Sequence, residues 1–395
     1  MQLRDLSDRH ERLLSTEENR MSPSSSTTAP VPAPARPDAG SSLDIAAARA
    51  RERSTDVEQR LAADPRQFRV LTGERPTGPL HIGHYFGTVA NRVRLQRLGV
   101  ETFLVLADYQ VITDREVAGD VRGHVHEILL DYLAAGIDAD SEAVTIFTHS
   151  AVPALNQLLL PFLSLVTVAE LDRNPTVKAE LAASGGRALS GLLLTYPVHQ
   201  AADILFCHAN LVPVGKDQLP HLETTRTVAR RFNQRYSPTR PYFPEPDALL
   251  SDAPTVLGTD GQKMSKSAGN TIPLRATADE TARAVRSART DSQRDITYDP
   301  QGRPEVANLL LLAGLCTGRA PEDVAAEIGA AGSGRLKQVV TEALVEYLAP
   351  LRARRAELAR DPGYVTEVLR RGNARANEVA DATLRDVREL MGMTY

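Results

Sequence analysis

Residues 68–84 read Phe-Arg-Val-Leu-Thr-Gly-Glu-Arg-Pro-Thr-Gly-Pro-Leu-His-Ile-Gly-His. The short apolar run at 68–72 ends at Gly73, a Gly/Pro-rich turn follows, and a helical pattern then passes through Val89, Val93 and Leu98. A strand that turns directly into a helix aims the helix's free N–H groups and the positive end of its dipole above the strand. An anion such as a nucleotide phosphate is the natural guest there. Gly83 carries no side chain and lets a base or backbone approach closely. His81 and His84 can donate hydrogen bonds to phosphate oxygens as negative charge shifts onto them. Taken alone, a His-x-Gly-His turn is a structural turn by default. A metal pair is a further reading of its two histidines, but no third His, Cys or acid is suitably placed nearby. We assign no metal ligand.

Outward from this segment, strand and helix signals alternate. Residues 102–107 and 143–147 are buried-strand candidates, with helical spacing over 121–133 between them. Residues 211–214 form a later strand candidate, and a helix is expected from about Asp217 to Tyr236. Such alternation argues for βαβ units and a parallel sheet with helices on both faces. After about Thr277 the strand signals stop and helical periodicity takes over, as in Leu336, Val339, Val340, Leu344 and Tyr347. An α/β domain over 66–276 and a helical domain over 277–395 are therefore expected. Residues 1–65 are expected to be a disordered or linker extension. Within it, 22–37 is rich in Ser, Thr, Pro and Ala, and 43–61 can be either a solvated helix or a charged linker.

The chain has 395 residues, enough for two compact domains with cores of their own. Hydrophobic content of 42% and charged content of 24% are ordinary for a globular protein. No apolar run is long enough to cross a membrane. The start, with Arg4, Asp5, Asp8, Arg9 and Glu11, lacks the apolar stretch of a secretory signal. Cys207 and Cys316 are the only cysteines, far apart in the chain. That excludes a disulfide framework and a zinc ribbon, and suits a reducing cytoplasm. A formal net charge of −4 means that any contact with RNA must come from local basic surface. The arginine runs at 351–360 and 369–375 read first as solvated helix faces.

Lysine is scarce: Lys178, Lys216, Lys263, Lys266 and Lys337 are all there are. Two of them fall in Gly261-Gln262-Lys263-Met264-Ser265-Lys266-Ser267, a loop bounded by Gly258 and Gly269. Paired lysines on a loop are usually solvated surface, but they can also neutralise a triphosphate as it breaks. The His-Ile-Gly-His and Lys-Met-Ser-Lys-Ser segments, in this order and context, resemble the two signatures of class I aminoacyl-tRNA synthetases. The resemblance covers about 68–395. It implies a Rossmann-like catalytic domain, a C-terminal anticodon-binding domain, ATP as substrate with Mg²⁺ carried on it, and a cytoplasmic homodimer with no membrane association.

Three further segments resemble the tryptophanyl branch: Tyr196-Pro197-Val198-His199-Gln200-Ala201-Ala202-Asp203-Ile204-Leu205, then Val212-Pro213-Val214-Gly215-Lys216-Asp217-Gln218, and the stretch from Thr290 to Leu309. The implied partners are L-tryptophan and tRNA(Trp). By this resemblance His81, His84, Lys263 and Lys266 are catalytic. ATP would be bound by Arg75, Pro76, Thr77, Gly83, His84, Gly215, Lys216, Asp217, Lys263, Met264, Ser265, Lys266 and Ser267, with Lys178 a candidate third phosphate lysine. The tryptophan pocket would comprise Leu71, Thr72, Gln110, Tyr196, Gln200, Asp203 and Gln218. Indole offers one N–H donor and no acceptor, so an ionised Asp203 is a sensible partner, although a helix acid taken alone reads as a structural salt bridge.

Tyrosyl enzymes are the nearest confusable relatives. Some of them place a tyrosine, able to bind a phenol, where this chain has Leu71, so Leu71 favours tryptophan. Gln200 for the usual Met, Arg75 for Gln, Lys216 for Glu, and Ser-Ala-Gly-Asn for Ser-Asp-Pro-Asn imply a divergent bacterial subtype. A nucleotidyltransferase would share the first motif but not the lysine pentapeptide. A non-catalytic paralogue that binds tRNA or tryptophan would be expected to have lost one of the two motifs, and both are intact.

Overall fold

The computed structural model describes residues 39–113, 119–183, 188–250, 255–266 and 268–395; residues 43–395 form one compact unit. Five strands build the sheet: β1 (Arg69–Glu74), β2 (Glu101–Leu106), β3 (Val144–Thr148), β4 (Leu211–Val214) and β5 (Asp247–Leu250). Their order is β3-β2-β1-β4-β5 and every neighbouring pair is parallel. The chain leaves β1 for β2 and β3 on one side, then returns to add β4 on the other. That reversal opens a crevice above the carboxyl ends of β1 and β4, where open α/β sheets bind ligands. Nearly every residue of β2 and β3 is buried, as expected of parallel strands covered on both faces.

Residues 81–97 make the first crossover. They comprise α2 (Ile82–His84), a wider turn at Tyr85–Val89 in which the Ala90 N–H reaches back to the Tyr85 carbonyl, and α3 (Ala90–Arg97). Such widened turns inside helices occur mostly at functional sites. Helix α4 (Val121–Ala135) starts on the Asp120 carboxylate, which accepts the Gly123 N–H, and stops at Gly136 with φ of 105°. The next helices are α5 (Pro153–Leu163), α6 (Val168–Asp172), α7 (Pro175–Ala183), α8 (Gly191–Leu205) and α9 (Leu219–Tyr236). The last of these begins two residues later than expected.

Two elements depart from the expectations. Strand β5 is not visible as a pattern, because four residues after the Pro-rich 241–246 segment are too few to show one; pairing with β4 makes it a strand. The 43–61 stretch lies in α1 (Ala39–Ala63): the helix alternative holds, the charged-linker alternative is corrected, and one face of the helix is buried rather than solvated. Ala50, Ser54, Val57 and Leu61 recur at helical spacing and are all buried. Val57 and Leu61 pack with Phe68, Val70, Leu95, Leu211 and Leu249. The Ser54 hydroxyl donates to the Ala248 carbonyl at 3.2 Å and accepts the Leu250 N–H at 3.0 Å, so α1 covers the β5 edge. The expectation of disorder for 1–38 lies outside the described residues.

After Thr277 the described residues hold helices and no strand: α10 (Ala278–Ser287), α11 (Pro304–Thr317), α12 (Pro321–Ile328), α13 (Gly332–Leu358) and α14 (Pro362–Leu390). One buried cluster runs from Leu80, Ile82 and Val89 through Leu310, Leu336 and Leu348 to Val365 and Val368. Residue 277 therefore separates kinds of secondary structure while the core runs across it. Helix α14 lies directly on β3. A Cβ on Gly372 would overlap the Ile146 carbonyl. The Asn373 side-chain oxygen accepts the Thr148 N–H at 3.0 Å, and Asn377 donates to the Ala151 carbonyl at 2.7 Å.

The C-terminal arginine runs are more structural than a solvated face suggests. Arg355 pairs with Asp131 at 2.7 Å and Glu127 at 2.6 Å, and Arg352 donates to Thr281. Arg354 and Arg360 stay exposed, while Arg371 pairs with Asp140.

Candidate active site

At the end of β1 a buried guanidinium fixes the floor of the crevice. Arg92 donates to Thr72 Oγ1 at 3.1 Å, to the Tyr132 hydroxyl at 2.7 Å, and to the Gly73 carbonyl and Glu74 at 3.0 Å each. Burial alone would raise the Glu74 carboxyl, but Arg92, His84 and Lys266 pull it below its ordinary value. Beyond it the chain is stitched on both sides. The Leu80 N–H donates to Asp131 at 3.0 Å, Ile82 N–H to the Ile272 carbonyl at 3.0 Å, and Leu274 N–H to the Leu80 carbonyl at 3.0 Å. Since Asp131 also holds Arg355, helix α13 is tied to the residue that precedes His81.

His81 caps α2 and its ring centroid lies 3.7 Å from that of His84. Burial, with His84 and Lys266 adding to it, pushes the His81 pKa down to about 3; His84 is also lowered, chiefly by burial. Both rings are neutral at pH 7 and act as hydrogen-bonding groups rather than cations. His81 Nδ1 is buried without a hydrogen-bond partner. Gly83 leaves room against this ring: a Cβ there would sit 3.1 Å from the His81 ring and 3.4 Å from the Met264 sulfur.

The lysine loop meets this segment directly. Lys266 Nζ donates to the Gly78 carbonyl at 2.6 Å and lies 3.4 Å from Thr77 Oγ1. Burial lowers its pKa, opposed by Glu74 and Asp131. Asn270 shapes the loop from inside: it accepts the Ser265 N–H at 2.8 Å and donates to Asp260 at 2.8 Å and to the Lys263 carbonyl at 3.1 Å. Met264 is buried and Lys263 is exposed. Thr77, His81, Gly83, Met264 and Lys266 thus come together; Pro76 is buried in the same turn and Arg75 is exposed. Ser267 lies outside the described residues.

Across the crevice, Gly215, Lys216, Asp217 and Gln218 turn β4 into α9. The Gln218 N–H donates to the Gly215 carbonyl at 3.0 Å, and an Asp217 oxygen occupies the space a Gly215 side chain would need. The Thr176 hydroxyl donates to the Asp217 carbonyl at 3.1 Å, while Lys178 on the same helix is exposed.

Helix α8 lines the remaining pocket. Asp203 is 1% exposed, and its Oδ2 lies 2.9 Å from His149 Nε2. Burial would raise its carboxyl, but His149 and His199 hold it below its ordinary value. Asp203 Oδ1 is buried with no hydrogen-bond partner. The Tyr196 hydroxyl meets His221 Nε2 at 2.7 Å. Leu71 is buried in the cluster that holds Phe103, Phe147 and Phe206. Gln110 lies in the turn Asp108–Thr113, and Gln200 is half-buried on α8. Sequence motifs do not mark His149, His221 or Arg92. Only His149 carries a sequence signal, because it follows β3 at the carboxyl end of a parallel strand, where ligand-binding residues collect. His149, His199 and Asp203 each offer a ligand atom within 4.8 Å of the others, a spacing a metal ion could share. The 2.9 Å separation of His149 from Asp203 is, however, that of a direct hydrogen bond.

The histidines make stability depend on pH. His81, His84, His199, His208 and His221 all have lowered pKa values, chiefly through burial, with His221 at about 4. Among the described histidines His149 alone is raised: burial lowers it, but Asp203 outweighs that. A histidine with a lowered folded pKa takes up its proton more readily when unfolded, so its contribution is lost as pH falls below its unfolded value near 6.5; a raised one acts oppositely. Five outweigh one, and the urea midpoint should fall steadily from pH 7 to pH 5. A midpoint that is flat or rises over that range would contradict these burials.

A lysine loop closed over a histidine-bearing helix start, at the switch point of a parallel sheet, is the arrangement of class I aminoacyl-tRNA synthetases. Residues 63–349 match the family model of tRNA synthetases class I (W and Y). The chain belongs to that family and is an ATP-dependent ligase. It is 43% identical over 334 residues to a tryptophan–tRNA ligase of Treponema pallidum, an alignment covering 83% of this chain and 97% of the relative. A tryptophan–tRNA ligase of Clostridium longisporum is 40% identical over 335 residues, covering 82% and 97%. The crystal structure of tryptophanyl-tRNA synthetase from Campylobacter jejuni, complexed with ADP and tryptophan, superposes with a TM-score of 0.70 at 29% identity, covering 82% of this chain and 99% of that one.

Proposed function

We propose that this chain activates L-tryptophan with ATP to tryptophanyl-adenylate and then transfers the tryptophanyl group to tRNA(Trp). The observation that carries the substrate is Asp203 Oδ1, a buried carboxylate oxygen with no hydrogen-bond partner, beside His149 and His199. An unpaired buried acceptor is costly unless a ligand donor fills it, and indole supplies one N–H. Leu71, in its buried apolar cluster, offers a phenol nothing. The high identity to tryptophan–tRNA ligases over nearly their whole length supports the same choice.

The tryptophan carboxylate attacks the ATP α-phosphate in line, pyrophosphate leaves, and positioning with charge stabilisation supplies the catalysis. His81, Gly83 and His84 cradle the phosphates, together with the turn of Arg75, Pro76 and Thr77. Gly215, Lys216 and Asp217 hold the ribose side. Lys263 and Lys266, on the loop that carries Met264 and Ser265, close on the departing pyrophosphate, and Ser267 belongs to the same ATP-binding set. Tyr196 and Gln218 hold the backbone end of the amino acid, with Thr72, Gln110 and Gln200 around it. Mg²⁺ would supply further positive charge on the phosphates. Glu74 and Asp131 are engaged by Arg92 and Arg355, so an ion carried in on the triphosphate would not draw on these two carboxylates.

Residues 277–395 carry the tRNA contact in this reading, with the exposed Arg354 and Arg360 available to phosphate; binding should weaken steeply with salt. In this reading, as the family resemblance implies, the chain forms a homodimer and works in the cytoplasm.

The deciding experiment is exchange of pyrophosphate into ATP, without tRNA, with tryptophan and tyrosine side by side. Exchange with tryptophan alone is expected. Exchange with tyrosine would overturn the reading of Leu71 and Asp203, and exchange with neither would point to a non-catalytic paralogue. Asp203→Ala should weaken tryptophan binding by about 10–100-fold by calorimetry with ATP affinity unchanged; an unaltered tryptophan affinity removes Asp203 from the pocket.

A further inference from the structure

Asp203 does not stand in its pocket alone. His149 is completely buried at the start of the short turn His149–Ala151 that follows β3, and its Nε2 meets Asp203 Oδ2 at 2.9 Å. His149 Nδ1 has no hydrogen-bond partner, so Nε2 is the nitrogen whose hydrogen bond sets the ring. The turn itself is held on two sides. Asn373 and Asn377 of α14 grip the Thr148 N–H and the Ala151 carbonyl. Asp108, after β2, accepts the Ser150 N–H at 3.0 Å and also bonds the Ser150 hydroxyl. The His199 ring packs edge-on against His149 at 4.8 Å and is itself bonded to Asn156 at 3.2 Å. The Tyr109 ring stacks against His149 at 6.4 Å. The imidazole therefore has little freedom to turn.

From this geometry we infer that His149 is a specificity-determining positioning residue: by clamping Oδ2 of Asp203 it leaves Oδ1 as a single, aimed acceptor for the indole N–H. The inference rests on the proposed role of Asp203 in the tryptophan pocket. The physical reason is a choice between two states of a buried acid. A carboxyl group buried among apolar side chains and left without a partner takes up a proton, and its hydroxyl can rotate to donate as well as accept. Such a group no longer insists on a donor in the ligand. A carboxylate held by an imidazole stays an acceptor only, and it rejects a ligand that brings no N–H. His149 acts through Asp203 and touches no reacting atom.

The test uses the full-length protein and two amino acids of nearly the same shape, tryptophan and 3-benzothienylalanine, in which sulfur replaces the indole N–H. Pyrophosphate exchange is measured with each. Wild type is expected to prefer tryptophan strongly. His149→Leu should raise the KM for tryptophan by about 10–100-fold, change kcat and the KM for ATP by less than about threefold, and largely erase the preference over the thia analogue. His149→Gln, whose amide N–H can donate to Oδ2, should restore most of the preference. A general loss of structure would depress both substrates alike and would not be rescued by glutamine.

Retention of the full preference in His149→Leu overturns the inference while leaving Asp203 in place. A wild-type enzyme that uses both amino acids equally well overturns the role of Asp203 and the inference with it. Should His149→Leu not fold, histidine-labelled wild type decides by NMR. The His149 Nε2–H resonance must move more on adding tryptophan than on adding 3-benzothienylalanine, and equal movement overturns the inference.

Discussion

Lys266→Ala should cut tryptophan-dependent pyrophosphate exchange by about 100–1,000-fold, the loss typical of removing one preorganised group that stabilises transition-state charge. Tryptophan affinity should stay within about twofold of wild type. The Lys266 ammonium lies against the Gly78 carbonyl and Thr77, within the turn that precedes His81. It is half-buried, and its surroundings are fixed by Asn270 inside the loop and by the stitching of 272–274 to 80–82. Little reorganisation is needed when negative charge builds on the departing phosphates, which is the condition under which a charged group contributes most. The neutral His81 and His84 next to it can donate hydrogen bonds but cannot replace its charge. Stopped-flow measurement of adenylate formation separates this step from product release. Near wild-type exchange in the variant would remove Lys266 from the catalytic role.

Gly372→Ala should destabilise the fold by about 3 kcal/mol or more, at the upper end of what overpacking a well-ordered core costs. The neighbour in the way is the Ile146 carbonyl, which is backbone inside the sheet and cannot swing aside as a side chain would. Relief requires α14 to lift from β3, which also pulls Asn373 and Asn377 from Thr148 and Ala151. The turn that carries His149 then loses one of its two anchors, so the KM for tryptophan should rise in whatever folded protein remains. Gly334→Ala is the control. That glycine lies in α13 with nothing near the position of its Cβ, and the substitution should be neutral or stabilising by about 0.5–1 kcal/mol. Urea midpoints for the two variants check both. Equal midpoints would mean that α14 does not press on β3.

Much of the candidate site was legible in the sequence. His81, Gly83 and His84 were marked by a turn between a strand and a helix, and Lys263 and Lys266 by the scarcity of lysine. Four of the five strands and the helical character of the C-terminal third followed from local periodicity. These signals are short-range: the period of the apolar residues and the chemistry of a turn are properties of a few neighbouring residues. The buried face of 43–61 was not legible because α1 carries small residues, Ala50 and Ser54, on half of it, so its periodicity is weak until β5 is there to be covered.

The sequence alone therefore sets the class of fold and singles out the histidine turn, the lysine loop and the acid at 203. Tertiary structure alone decided their partners. Lys266 and Gly78 are 188 positions apart, Asp131 and Arg355 224, and Thr148 and Asn373 225. No local pattern reports a pairing across such distances, because chain entropy leaves every distant partner open until the sheet and the helices pack. The same packing turned Asp203 from an ordinary helix acid into a carboxylate gripped at one oxygen by His149 and left with one oxygen to offer.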